Sequence, residues 1–156
     1  MKLLTEAKNY IKENFDKGSN CPCCNQFVKQ YYFSISSGQI IGLINLYHLD
    51  KKNPGKYFKI REIENYKEGF AGGSFAKTKH WGLANDMINE DTGKRTSGLW
   101  AITEQGKAFV EGKIKIPLKV KLYNKKAYGF DGVEVSVKTA LGKKFDYSEL
   151  MNNNTN

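Results

Sequence analysis

Polar and apolar positions change period several times along the chain, and each change marks a predicted element. In TEAKNYIKENF, residues Ala7, Tyr10, Ile11 and Phe15 recur near helical spacing, so a first helix is predicted from Thr5, ending at Gly18-Ser19-Asn20. FVKQYYFSI (27–35) is rich in β-branched and aromatic residues and predicts one strand. GQIIGLINLYHLD returns to helical spacing, with Ile40, Leu43, Ile44 and Tyr47 on one face and Ser36 or Ser37 as cap. Asn53-Pro54-Gly55 is a loop signal, YFKI a short extended segment and REIENYKEG a short polar helix. FAKTKHW is predicted to be helical, capped by Ser74 and stopped by Gly82, which takes a left-handed conformation without penalty.

LANDMI and SGLWAI then read as the strands of a hairpin whose tip lies at 91–94, with Leu83 and Leu99 facing inward. Thr103 caps a closing helix, TEQGKAFVEG, which its internal Gly106 is expected to weaken. IPLKVKLYN alternates, with Ile116, Leu118, Val120 and Leu122 on one face and Pro117, Lys119, Lys121 and Tyr123 on the other. It is expected to pair with KAYGF around Asn124-Lys125, and a short helix is expected in the tail.

Three helices, a strand, a long polar turn and a returning strand are the order of a winged helix-turn-helix. KHWGL followed by TSGLWAITEQG resembles winged-helix regulators, in which a helix ending in Gly-Leu precedes the wing and Thr-Glu-x-Gly follows its return strand. That resemblance covers roughly residues 37–112. More narrowly, CPCCNQ, KHWGL, GKRTSGLWAITEQGKAFV, IPLKVKLYN and LGKKFDYSELM resemble a family of uncharacterised phage and prophage proteins across most of residues 20–151. The narrower resemblance implies an architecture and no activity. The expected fold class is α+β, with three parts. Residues 1–36 hold an N-terminal helix, cysteine turn and strand, 37–112 the winged-helix core, and 113–156 a β-hairpin and short helix packed on that core.

Charge sharpens this picture. The formal net charge is +9, but 61–112 carries 7 Lys/Arg against 8 Asp/Glu, while 1–60 and 113–156 each carry 9 against 4. An anionic partner is favoured, and the excess lies at the two ends. In a DNA-binding winged helix the third helix enters the major groove and the wing touches the backbone or minor groove. The resemblance therefore implies Ser74, Lys77, Lys79 and His80 as recognition-helix contacts and Lys94 and Arg95 as wing contacts. Winged helices also serve as protein-interaction modules, so a host or defence complex is the alternative partner to DNA. A homodimer is compatible with either.

All three cysteines fall in CPCC, which rules out a disulfide framework and suits a reducing compartment. Cys21 and Cys24 have the spacing of half a tetrahedral zinc site. A complete one would need a second chain, or His48 or Asp16, so no cofactor is expected beyond a shared or incomplete zinc site. Tyr31, Tyr32 and Phe33 beside Lys29 can be read as a base-stacking cluster or as half core and half interface. No nucleophile elbow, phosphate loop or paired-carboxylate signature occurs, and the chain is not expected to be an enzyme. The N-terminus lacks a signal-peptide pattern and no apolar run reaches bilayer length, so a cytoplasmic protein is expected, in the host cell's cytoplasm if phage-encoded.

Overall fold

A computed structural model of the chain describes residues 3–66, 72–87, 98–123 and 126–152. From the N-terminus come helix α1 (Leu4–Glu13), the short strands β1 (Ser19–Asn20) and β2 (Phe27–Val28), and strand β3 (Tyr31–Ser34). Helix α2 (Ser37–Lys52), strand β4 (Phe58–Lys59) and helix α3 (Ile60–Glu64) follow, and then a 3-10 helix (Gly72–Trp81). Strands β5 (Ala84–Asp86) and β6 (Leu99–Ile102) lead to helix α4 (Glu104–Val110). Strands β7 (Ile116–Tyr123) and β8 (Lys126–Val135) precede helices α5 (Val137–Leu141) and α6 (Tyr147–Met151). The class is α+β, with small antiparallel sheets. No described helix is long and apolar enough to cross a membrane.

The chain divides into two compact units, Met1–Ser34 with Lys119–Asp131 and Ile35–Leu118 with Gly132–Asn156. Residues 113–156, expected to pack as one part on the core, are shared between them, 119–131 going to the smaller unit and the rest to the larger.

The larger unit is built around α2. Ser36 stands at its N-cap, where its backbone N–H donates to Gln39 Oε1 at 2.8 Å and its hydroxyl donates to the same oxygen at 3.2 Å. The sequence predicts one apolar face, but Ile40, Ile41, Leu43, Ile44, Leu46 and Tyr47 are all buried, so the helix is enclosed on every side. The 3-10 helix, α3, α4, α5, α6 and β6 surround it. Enclosure forces each polar residue on α2 to find a partner. Asn45 Nδ2 donates to the Ile63 carbonyl at 3.0 Å, and His48 Nε2 lies 2.8 Å from the Leu150 carbonyl. A carbonyl only accepts, so that ring nitrogen carries the hydrogen. Asp50 takes the Gly55 N–H at 3.1 Å and pairs with Lys107 at 3.2 Å.

The three-stranded sheet of this unit has the order β4–β6–β5, with Ala84 opposite Ile102, Asp86 opposite Trp100 and Phe58 opposite Trp100. The expected pairing of the two strands flanking residues 88–97 is therefore present. Of the two leucines expected to face inward, Leu83 is fully buried, but the return strand turns its other side to the core. Trp100 and Ile102 are buried with Phe58 and Ala84, whereas Leu99 is half-buried. The reason is the partner across the core: Phe75 meets the Trp100 ring edge-on at 5.5 Å, giving the larger aromatic the inner position.

In the smaller unit the single strand expected over 27–35 is broken. Val28 pairs with Ser19, whereas Tyr31 pairs with Leu122 in a second sheet of order β3–β7–β8. Gln30 causes the break. Its backbone N–H donates to Phe15 O at 2.8 Å, and its side chain donates to Asp16 and Tyr32, so it leaves the ladder. The alternation of β7 is met at three of its four expected inward positions: Ile116, Val120 and Leu122 are buried, whereas Leu118 is half-buried. The tail holds two short helices, α5 and α6, in place of the single expected one.

Candidate nucleic-acid interface

The segment expected to be the third helix is a 3-10 helix, with three residues per turn. That period explains its burial. Phe75, Thr78 and Trp81 are three residues apart and all face inward, leaving Ala76 and Lys79 exposed or nearly so and Lys77 and His80 half-buried. Thr78 satisfies its buried hydroxyl by donating to Phe75 O at 2.7 Å, and Trp81 Nε1 donates to Pro117 O at 2.8 Å. The helix begins at Gly72, so Ser74 stands inside it and is not its N-cap.

The KHWGL and TEQG stretches form one latch. Gly82 has φ of +73°, which ends the helix as expected. The Thr103 backbone N–H donates to Leu83 O at 3.1 Å, its hydroxyl donates to Gly82 O, and the same hydroxyl oxygen accepts the Gly106 N–H at 2.9 Å. Gln105 Nε2 donates to Trp81 O at 2.9 Å. A Cβ on Gly106 would lie 2.1 Å from Leu83 O, so this glycine permits close approach of two backbones. Helix propensity alone makes Gly106 a weakness of α4, yet the approach it allows is what seats α4 on the 3-10 helix stop.

Of the expected contact residues, Lys77, Lys79 and His80 come together on the outer side of the 3-10 helix. Lys79 Nζ lies 3.8 Å from Asp86 Oδ2, and both side chains retain solvent access, which makes this a weak pair. Burial first, and then the charges of Lys79 and Lys77, hold the His80 imidazole below its ordinary value of 6.5. It is therefore neutral at pH 7 and offers a hydrogen bond in place of a charge. Lys94, Arg95 and the hairpin tip at 91–94 lie outside the described residues.

Two basic side chains that no sequence motif singles out lie beside the sheet of this unit. Lys59 and Arg61 line a cavity of about 620 Å3 with Glu62, Gly98 and Leu99, so both signs of charge meet there. The only signal is a short basic run in a polar segment, and what joins it to Gly98 and Leu99 is the β4–β6 pairing, in which Lys59 lies opposite Leu99.

The cysteine turn is closed upon itself. Cys21 N–H donates to Gln26 O at 2.7 Å, and Asn25 N–H donates to Cys21 O at 2.8 Å. Hydrogen bonds from the backbone of Cys24, and then of Cys23, lower the Cys21 thiol below its ordinary value, which favours thiolate chemistry there. The further ligands considered for Cys21 and Cys24 are otherwise engaged. Asp16 accepts from Gln30 and Tyr32, and His48 donates to Leu150 O. Among the described residues no group of three or more His, Cys, Asp or Glu side chains is placed to hold a metal ion.

Compared with protein-family models, curated proteins and solved structures, the chain matches none.

Proposed function

We propose that the larger unit contains a winged helix that binds DNA in the control of transcription or replication, in a protein of the phage or mobile-element type its motifs resemble. The observation that carries this reading is the strand order β4–β6–β5 combined with the element order α2, β4, α3, 3-10 helix, β5, β6. A first strand lying between helices pairs with the return strand, and the hairpin follows the third helix at once. In such an arrangement the third helix meets the major groove and the hairpin tip acts as the wing. Lys77 and Lys79 are then phosphate or base-edge contacts, His80 is a hydrogen-bonding group, and Lys94 and Arg95 contact the backbone. Lys79 can exchange Asp86 for a phosphate because their solvent-accessible pair stabilises little. The action is binding without catalysis and needs no cofactor.

A second reading, a protein-interaction module for a host or defence complex, is favoured by the same electrostatics. With His80 neutral and Lys79 paired to Asp86, the outer side of this helix is less positive than its composition suggests.

Fluorescence anisotropy with a labelled duplex, repeated across salt, separates the two readings. Lys77→Ala with Lys79→Ala, and separately Lys94→Ala with Arg95→Ala, should each weaken binding to all sequences about equally. Each should also reduce the salt slope by roughly one unit for every phosphate that is no longer neutralised. A phosphate beside His80 favours its charged form, so binding takes up a proton and affinity should rise from about pH 8 to about pH 6, an increase absent in His80→Gln. Stability runs the other way. The folded-state value lies below the unfolded one, so this contribution is complete above 6.5 and is lost as pH falls from there through the folded value. Duplex affinity unchanged in both double variants would overturn the DNA reading.

A further inference from the structure

Apolar exposure in this protein is concentrated in the smaller unit. Among the described residues, 11 large hydrophobic side chains are exposed, and all but Met87 and Val133 belong to that unit. Most are aromatic and sit on or beside the β3–β7–β8 sheet. Phe27 is 54% exposed, Tyr31 56%, Tyr123 38% and Tyr128 50%.

Two surface grooves connect these rings. One, of about 140 Å3, is lined by Phe27, Lys29, Tyr31 and Tyr123, together with Gln26. The other, of about 540 Å3, is lined by Tyr123, Tyr128 and Lys126, together with Phe15 and Ala127. Tyr123 belongs to both, so they form one track with a lysine in each half. Phe15 braces the second groove by an edge-on contact to Tyr123 at 5.5 Å and a tilted contact to Tyr128 at 6.0 Å. Among the described residues no carboxylate lines either groove. Asp16, the acidic residue next to Phe15 in the chain, is bonded to Gln30 and Tyr32; its charge is felt at Tyr128, but it stands outside the lining. The unit as a whole carries 9 Lys/Arg against 4 Asp/Glu.

We propose that this track binds single-stranded nucleic acid, with unpaired bases stacking on Tyr31, Tyr123 and Tyr128 and with Lys29 and Lys126 meeting phosphates. Charge complementarity selects this occupant. A buried protein partner would suit exposed rings, but an aromatic track interleaved with lysines and lacking carboxylates matches a polyanion that also presents flat π-faces. Duplex DNA keeps its bases stacked inside and offers the track only phosphates. The Lys29 ammonium already lies over the Tyr31 ring, 5.2 Å from its centre, so the cation and the ring are held together, with that face of the ring taken by the lysine. The site shares no residue with the 3-10 helix or the hairpin, and it stands whether or not those bind DNA.

The test uses the full chain and 15-residue probes: dT15, rU15, an abasic oligomer of equal charge, a 15-base-pair duplex and poly-glutamate. Binding of dT15, rU15 or both at least ten times tighter than the abasic oligomer is expected, and the tighter of the two identifies the preferred sugar. Tyr123→Ala with Tyr128→Ala should weaken that binding by roughly tenfold or more, whereas Lys77→Ala with Lys79→Ala should not change it. The rings of Tyr123 and Tyr128 pack on Phe15, so the double variant is also checked by thermal melting. Tyr31→Ala, which removes a mostly exposed ring, should weaken binding by several-fold without altering the melt. Equal binding of abasic and dT15 probes, poly-glutamate binding as tight as dT15, or unchanged affinity in Tyr31→Ala would each overturn the proposal.

Discussion

Residues 35–118 with 132–156 and residues 1–34 with 119–131 come from one chain and treat apolar surface in opposite ways. In the larger unit, α2 is enclosed on all sides, and even Gln39, Asn45, His48 and Asp50 are buried. In the smaller unit Val28, Val120 and Leu122 are buried with Ala7, while Phe27, Tyr31, Tyr32, Tyr123 and Tyr128 remain exposed. Part of this follows from size, because a unit of fewer than about 50 residues has too much surface for its volume to hide many rings. Size does not explain why the exposed side chains are aromatic rather than aliphatic, nor why lysines lie between them. An interior selects for shape and hydrogen-bond satisfaction, whereas an exposed aromatic surface with cations is chemistry available to a ligand.

The sharpest test of that contrast is Leu43→Ala. Leu43 is fully buried on α2, and its truncation should destabilise the larger unit by about 2–5 kcal/mol, seen as a lower urea midpoint. A change below about 1 kcal/mol would mean that α2 is not the packed centre. Gly106→Ala should come next, at about 1–3 kcal/mol, because the added methyl must displace the Leu83 backbone. Trp81 and Trp100 fluorescence reports it directly, since both rings are buried beside the latch. A neutral outcome would show that the two backbones separate freely, against the close approach described above. The smallest effect should be Tyr31→Ala, within about 0.5 kcal/mol by thermal denaturation. If that exposed ring contributed as much as Leu43, the contrast between the units would fail.

Much of the site's local framework is legible in the sequence. The Ser36 and Thr103 caps, the Gly82 stop and the alternation of β7 all rest on signals carried close in the chain to where they act. The grouping of Lys77, Lys79 and His80 on one outer side is legible for the same reason. The electrostatics of that side are not. Asp86 reaches Lys79 only after the chain turns at Gly82, and the lowering of His80 comes from burial that no local pattern records.

By itself the sequence determined where α2, β6, α4 and β7 begin and end, to within a residue or two, since caps, glycine turns and side-chain period are local properties of the backbone. It also determined how much charge and aromatic surface was available. Tertiary structure alone decided how these are arranged in space. It split 27–35 between two sheets because Gln30 finds Phe15 and Asp16, and it turned Trp100 inward because Phe75 lies opposite. It made Gly106 a requirement because Leu83 O approaches it, and it joined Phe27, Tyr31, Tyr123 and Tyr128 into one track. Each of these depends on a partner remote in sequence, and the free energy of such contacts exists only once the chain has closed the intervening loops.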